Sequence, residues 1–314
     1  PKNRPTIAGL IVYARVDGSF AVWDPARQAL PSTASPSGDR AVFSSAEVWD
    51  GLPGRIEGLI RDWVRWQSNP QGDQFKSFEK VLAKLSPPDL GQLKPGPTVR
   101  IPEDPRDIPT LIHPYGETAI VYASAGVRRI VTLAYLVVWA WHEHLIAANM
   151  AQALPQRRMV VLVDELEAHL HPKWQRSFLP ALMELSQVLA PTLQAQYIVA
   201  THSPLVMASS ESVFNEETDK LFHLDMEQSG EISLKEIDYV AFGDVSSWLT
   251  SPVFGLRHAR SNEGGAAIEA AKAVQLRGQG SSSEIRAIHE RLKQHIASDD
   301  RFWPRWIAFA ERFG

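Results

Sequence analysis

The stretch RRMVVLVDELEAHLHP, residues 157–172, places two adjacent carboxylates directly after an unbroken run of five apolar residues. Such a run is typical of a strand that is buried on both faces of a parallel sheet. Asp164 and Glu165 then lie at the carboxyl end of this strand, where open α/β sheets bind ligands. The pattern alone fits either a solvated sheet edge or a site where one acid holds Mg²⁺ and its neighbour polarises a water molecule.

A second apolar run, YIVATHSPLV at residues 197–206, has His202 at its end. Residues 172–188 have a helical pattern, so the whole segment predicts a β-α-β unit of a parallel sheet. Neighbouring parallel strands end at the same edge, so we expect His202 to lie near Glu165, although 37 residues separate them. A neutral histidine there can hydrogen-bond a phosphate or an attacking water. His202 alone is more typical of an ordinary sheet edge, whereas the pair favours a phosphate site.

Residues 122–129, YASAGVRR, precede a long run rich in Ala, Leu and Val, which predicts one mostly buried helix starting near Gly126. Small residues at a helix start leave backbone N–H groups and the Ser124 hydroxyl open to an anion, and the helix dipole adds to this attraction. A simple serine N-cap is the alternative. Arg128 and Arg129 either add positive charge to such a contact or lie on a solvated helix face.

Taken in order, these segments resemble the motifs of the ABC-type ATPase domains of the soluble RecF/SMC/OLD-like group, also described as AAA-family ATP-binding proteins. VVLVDE resembles a Walker B strand, ASAGVRR a signature motif, HLHP a D-loop and VATHSP a switch-histidine strand. The resemblance covers residues 117–209. It implies an α/β fold with a P-loop NTPase sheet core flanked by helices, an antiparallel β subdomain and a helical C-terminal tail.

The resemblance also implies the roles of single residues in binding and hydrolysing ATP. By position, Asp164 would bind Mg²⁺, Glu165 would act as the catalytic base, and His202 would contact the γ-phosphate. In this group the signature turn acts in trans. A head-to-tail homodimer with composite ATP sites is therefore implied.

In that dimer the signature turn of one protomer would cap the ATP held by the other. Ser124 and Gly126 would make this contact, with Arg128 beside them. His171 would lie in the D-loop at the same interface. A metal site built on His169 and His171 is the alternative, but such a site needs further ligands, so we favour the D-loop.

The sequence departs from the resembled pattern in two places. Ala125 stands where the signature motif usually has its first glycine. More importantly, the sequence contains no Gly-Lys dipeptide and so no P-loop of the form G-x-x-x-x-G-K-[ST]. Because the chain begins at Pro1 and not at a methionine, we expect the P-loop to lie upstream. This chain alone is not expected to bind ATP well.

The rest of the chain predicts four parts. Residues 1–50 form an antiparallel β part, which contains a hairpin at Asp17-Gly18 and a third strand in RAVFSSAEVW. Residues 51–115 form a helical insertion with two helices, followed by a connector with eight prolines in residues 87–114. Residues 116–240 form the ATPase core and end in a hairpin around Ser229-Gly230. Residues 241–314 form a helical C-terminal region.

Bulk composition excludes few functions. A net charge of −4 and a pI near 6.2 give no general reason to bind nucleic acid, so DNA binding is possible but not indicated. The absence of cysteine fits a reducing compartment, and we expect a cytoplasmic protein. The longest apolar stretch, residues 130–141, is too short to cross a membrane.

The predicted function is that of a soluble ATPase subunit whose ATP-driven dimerisation regulates a partner. That partner would be an effector such as a nuclease, in DNA processing or phage defence. Two alternatives stay open: the nucleotide-binding subunit of an ABC transporter, and a non-catalytic interaction module that keeps the ATPase fold.

Overall fold

The computed structural model describes residues 9–28, 40–69, 71–86, 91–114, 116–227 and 229–312. The chain divides into two compact units, Pro1–Phe214 and Asn215–Gly314. The Pro, Ser and Gly content of residues 31–38 predicts a flexible loop, which lies outside the described residues. The predicted four-part division stays a prediction beside this two-unit division.

Strands and helices follow one another in mixed order along the chain. The strands are β1 (Leu10–Ala14), β2 (Phe20–Trp23), β3 (Arg40–Phe43), β4 (Lys94–Pro95), β5 (Val99–Ile101), β6 (Asp104–Ile108), β7 (Thr110–His113), β8 (Gly116–Ala119), β9 (Arg158–Val163), β10 (Gln194–Val199), β11 (Leu221–Met226) and β12 (Ile232–Ile237). The helices are α1 (Pro25–Gln28), α2 (Ser45–Asp50), α3 (Leu59–Gln67), α4 (Asp73–Leu85), α5 (Ala125–Met150), α6 (Pro172–Met183), α7 (Leu185–Leu189), α8 (Pro204–Ser210), α9 (Val245–Leu249), α10 (Asn262–Arg277), α11 (Ser282–His295) and α12 (Trp303–Ala310).

The first unit contains a five-stranded mixed sheet with the strand order β10-β9-β1-β2-β3. Strands β10, β9 and β1 are parallel, whereas β1, β2 and β3 are antiparallel. The predicted hairpin is confirmed: it joins β1 to β2, and its turn contains Gly18 with a φ of 77°, which glycine adopts readily. The predicted β-α-β unit is β9, α6 with α7, and β10. The α/β fold class is therefore confirmed.

Helix α5 supplies much of the apolar core of this unit. Every residue from 130 to 141 is buried, which confirms the predicted long, mostly buried helix. The helix is longer than the apolar run that predicted it, because it continues through the polar residues around His142. By length and composition it could cross a membrane, but 78% of its most apolar window is buried inside the protein. This position is that of a core helix.

Two predictions about local structure need correction. The third strand has only four of the ten predicted residues, since RAVF is a strand and the helix α2 begins at Ser45. Ser44 accepts a hydrogen bond from Glu47 N and the Glu47 carboxylate accepts one from Ser44 N, which is a capping box that starts α2. The proline-rich connector is not a single extended segment. Its described part forms short antiparallel pairs, β4 with β7 and β5 with β6.

The second unit has its own small core. Helices α10, α11 and α12 bury a cluster that includes Ile268, Leu292 and Trp306. The predicted hairpin around Ser229-Gly230 is confirmed as the pair β11 and β12. The predicted helical character of the C-terminal region is confirmed as well.

Candidate functional site

The carboxyl ends of β1, β9 and β10 meet at one edge of the sheet. Val163 of β9 is in register with Val199 of β10. Beyond the strands, Asp164 N donates to the carbonyl of Ala14 at 3.0 Å, and Leu166 N donates to the carbonyl of Ala200 at 3.2 Å. The ladder thus continues past the last strand residue and holds the acid pair beside the end of β10.

The structure brings Glu165 and His202 together. The Nε2 atom of His202 lies 3.1 Å from Oε1 of Glu165. The His202 side chain is 84% exposed and that of Glu165 is 33% exposed, so water reaches both groups. Glu165 has a φ of 48°, in the left-handed region, which costs a glutamate of order 1 kcal/mol. The arrangement can accept a proton from a bound water at the carboxylate and donate or accept a hydrogen bond at the imidazole.

Glu167 is a site residue that sequence reasoning missed. Its carboxylate accepts a hydrogen bond from the Thr201 hydroxyl at 2.5 Å and another from His202 N at 2.6 Å. It therefore holds the turn that carries the histidine. The available signal was the third acid of DELE, which follows Glu165 by two residues.

The turn after β10 is also tied to the D-loop-like segment. Ser203 caps α8, since its Oγ accepts from Leu205 N at 3.2 Å. The same hydroxyl donates to Oε1 of Gln175 at 2.7 Å, and Nε2 of Gln175 donates to the carbonyl of Leu170 at 3.0 Å. The two loops that flank the acid pair are thus joined by side-chain hydrogen bonds.

The predicted signature turn lies at the start of α5. Ser124 is the N-cap, and its exposed side chain accepts from Val127 N at 3.4 Å. Gly126 packs against the D-loop-like segment, because a Cβ built on it would lie 2.6 Å from the carbonyl oxygen of His169. Ser124 therefore makes the simple cap and also presents a hydroxyl at the surface.

The two arginines after this turn have different environments. Arg128 is exposed and lies over the ring of Trp49, with 4.5 Å from its guanidinium carbon to the ring centroid, which is a cation–π contact. Arg129 is half-buried and turns inward to the strand ends. Burial lowers the pKa of its guanidinium, and the nearby carboxylates, that of Asp164 foremost, oppose this shift.

Asp164 is half-buried at the end of β9. Within the described ranges, no group of three or more His, Asp or Glu side chains is placed to hold a metal ion by itself. Mg²⁺ is commonly held by one or two carboxylates together with substrate phosphates and waters, so the Asp164 carboxylate fits as a single protein ligand. His171 instead caps α6, where its Nδ1 accepts from Lys173 N at 3.2 Å.

Comparison with known families finds a match at this part of the chain. Residues 145–208 match the family described as an AAA domain, putative AbiEii toxin, type IV TA system. The matched range contains Asp164, Glu165 and His202, whereas the signature-like turn precedes it. The SMC head domain from Thermotoga maritima aligns over 70% of this chain and 74% of its own, with 15% identity and a TM-score of 0.32.

Two curated relatives are similar in sequence. The chain is 27% identical over 163 residues to the retron Vc95 probable ATPase of Vibrio cholerae serotype O1 biovar El Tor, which is 49% of this chain and 29% of that protein. It is 40% identical over 53 residues to the retron Ec83 probable ATPase of Escherichia coli, which is 17% of this chain and 9% of that protein. The chain spans less than a third of these relatives. Residues 145–208 are therefore similar to an AAA domain, and both curated relatives are named probable ATPases.

Proposed function

We propose that this chain is the catalytic part of an ATPase that hydrolyses ATP with Glu165 as the general base. The observation that carries the proposal is the 3.1 Å contact between Glu165 and His202 at adjacent strand ends, within the stretch that matches the AAA family. The names of the two relatives, both probable ATPases, support it.

In the proposed reaction, a water molecule attacks the γ-phosphorus of ATP and the bond to the β–γ bridging oxygen breaks, so that ADP leaves. Glu165 takes the proton of the attacking water, and His202 hydrogen-bonds the γ-phosphate oxygens. Asp164 would hold Mg²⁺, which would supply positive charge to neutralise the phosphates. Positioning and electrostatics supply most of the rate in such reactions, so the fixed backbone at the strand ends is an essential part of the site.

We propose that a segment outside these 314 residues supplies the phosphate-binding loop. No Gly-Lys dipeptide occurs in the sequence, so the backbone cradle of a P-loop is not encoded here. We therefore propose that ATP binds with high affinity only to the longer protein. The length of the relatives supports this proposal, since the chain covers less than a third of either.

We further propose that two copies assemble head to tail and share their ATP sites. Ser124 and Arg128 are exposed at the start of α5, where the nucleotide of a partner copy would reach them. Gly126 and the D-loop-like segment lie side by side. Dimerisation would regulate a cytoplasmic effector such as a nuclease, in DNA processing or phage defence.

Glu165→Gln in the longer, P-loop-containing protein tests this function. Glutamine keeps the side-chain shape but cannot take up the proton, so we expect kcat for ATP hydrolysis to fall at least about 100-fold, while ATP binding persists. Light scattering after gel filtration should then show an ATP-dependent dimer. The matched control is Glu79→Gln, at an exposed position on α4, which should keep the wild-type rate.

Three results would contradict the proposal. If the longer wild-type protein binds no ATP, the chain is an interaction module with an ATPase fold. If it hydrolyses ATP and Glu165→Gln hydrolyses it equally fast, Glu165 is not the base. If it co-purifies with a membrane-embedded subunit, the transporter alternative is correct for the assembly.

A further inference from the structure

We propose that Arg129 is a positioning residue that holds the backbone of the acid pair and links it to the signature turn. This inference rests on the proposed function, because it concerns the orientation of the Glu165 carboxylate that acts as the base. Arg129 lies in the second turn of α5, five residues after Ser124, and its side chain reaches the strand ends of the same chain.

The guanidinium group of Arg129 donates to four backbone carbonyls. Its Nη2 donates to the carbonyls of Asp164 at 2.7 Å and Glu165 at 3.0 Å. Its Nη1 donates to the carbonyls of Arg15 and Val16, both at 3.2 Å. One planar group therefore spans the ends of two neighbouring strands, β9 and β1.

These contacts fall where the backbone needs support. Glu165 has a φ of 48°, a conformation that a glutamate keeps only when its surroundings hold it. Its carbonyl accepts from Ala168 N at 2.9 Å as well as from Arg129. Without the guanidinium, one side of this strained turn would lose its donors, and the direction of the Glu165 side chain would be less well defined.

The same side chain connects two motifs that the proposed function assigns to different ATP molecules. Ser124 would touch the nucleotide of the partner copy, whereas Glu165 would act on the nucleotide of its own chain. Because Arg129 belongs to the helix that Ser124 caps, a movement of that helix would be transmitted to the backbone of Asp164 and Glu165. Contact of the signature turn with the nucleotide of the partner copy would thereby set the orientation of the Glu165 carboxylate.

Lysine cannot replace this arginine fully. An ammonium is a point charge on a flexible stem, whereas the planar guanidinium presents five donors in a fixed fork. A lysine at position 129 can reach one or two of the four carbonyls. The conservative variant therefore separates the effect of the fork from that of the positive charge.

The experiment compares Arg129→Lys and Arg129→Gln in the longer, P-loop-containing protein with Arg61→Gln, at an exposed position on α3. We expect kcat for ATP hydrolysis to fall about 10-fold for lysine and about 100-fold for glutamine, since a misplacement of about 1 Å can cost 100-fold. The KM for ATP should stay within about twofold, because the Arg129 guanidinium donates to backbone carbonyls of its own chain. Arg61→Gln should match the wild type.

Hydrogen exchange gives a second readout. Leu166 N donates to Ala200 and Ala168 N to Glu165, so both amides should exchange faster in the Arg129 variants. Amides of α10 should exchange at the wild-type rate. If Arg129→Gln does not fold, kcat and hydrogen exchange are both measured on Arg129→Lys.

The possible outcomes separate this inference from the proposed function. A wild-type protein that hydrolyses no ATP removes the proposed function, and the inference falls with it. An active wild type with Arg129 variants of unchanged kcat overturns the inference alone. A fall in kcat with unchanged hydrogen exchange at residues 166–168 also overturns it, because the backbone would then not depend on Arg129. A rise in KM as large as the fall in kcat overturns it as well, because the side chain would then act on nucleotide binding and not on position.

Discussion

The Nε2 atom of His202 lies 3.1 Å from Oε1 of Glu165, although 37 residues separate the two in the chain. The parallel pairing of β9 with β10 produces this contact, because the two strands end side by side and the residues that follow them are neighbours. Both side chains remain in reach of water. A water or phosphate oxygen can therefore meet both groups at once.

His202→Ala removes the imidazole from this pair. We expect kcat for ATP hydrolysis by the longer protein to fall about 10- to 100-fold, because a hydrogen bond to the transferred phosphate or the attacking water is lost. Stability should change by less than about 0.5 kcal/mol, since the side chain is exposed. Steady-state kinetics and urea unfolding measure the two effects, with His295→Ala in α11 as the control. Wild-type kcat in His202→Ala would exclude a role for the imidazole.

Glu167→Gln tests how the turn after β10, which carries His202, is held. The glutamate accepts from the Thr201 hydroxyl and from His202 N. A glutamine can accept from His202 N with its oxygen, but its NH₂ group must then donate to the Thr201 hydroxyl, and both hydrogen bonds lose the negative charge that strengthens them. We expect a loss of about 1 kcal/mol in the free energy of unfolding and a fall in kcat of several-fold. Urea unfolding and ATPase assays measure both. Unchanged values in both assays would mean that the turn keeps its conformation without the Glu167 carboxylate.

Gly126→Ala tests the packing of the signature turn on the D-loop-like segment. The new Cβ would lie 2.6 Å from the carbonyl oxygen of His169, a backbone atom that cannot swing away. We expect a loss of about 1–3 kcal/mol in the free energy of unfolding. At Gly72 an added Cβ meets only the ends of the Asn69 and Gln74 side chains, so Gly72→Ala should cost less than half as much. Equal losses would contradict the close approach seen here.

Asp62 predicts a pH dependence of stability. Its side chain is fully buried, which raises its pKa from 3.8 to about 6, although a hydrogen bond from Tyr135 and the charge of Arg65 oppose the rise. The folded state thus favours the protonated acid. The stability that this provides is fully present below pH 4 and is lost as the pH rises through about 6.

Asp62→Asn removes this pH dependence because asparagine does not ionise. Relative to the wild type, the free energy of unfolding of the variant should rise by roughly 2–3 kcal/mol between pH 4 and pH 7. Urea unfolding at both pH values measures this, with Asp73→Asn at an exposed helix start as the control. A constant difference between the variant and the wild type would show that Asp62 keeps its ordinary pKa in the folded protein.

Sequence patterns predicted the elements that local physics controls. The apolar run before Asp164 predicted β9, the small residues before the long apolar run predicted the start of α5, and Asp17-Gly18 predicted a hairpin. In each case a single element, with its own periodicity or turn residues, carries the signal. The expected closeness of His202 and Glu165 followed from the general geometry of parallel strands. The capping box of Ser44 and Glu47 was present in the sequence as well, but β-rich residues on either side hid it.

The sequence by itself determined the α/β class, the order of the motifs and the identity of the acids and the histidine. Only the tertiary structure decided how the turns between them are held. Glu167 and Arg129 act on residues 34 to 114 positions away, through a carboxylate that meets a hydroxyl and through a guanidinium that meets backbone carbonyls. Side-chain contacts with backbone carbonyls carry no pattern in the sequence, because every residue has a carbonyl, so folding alone selects which ones meet.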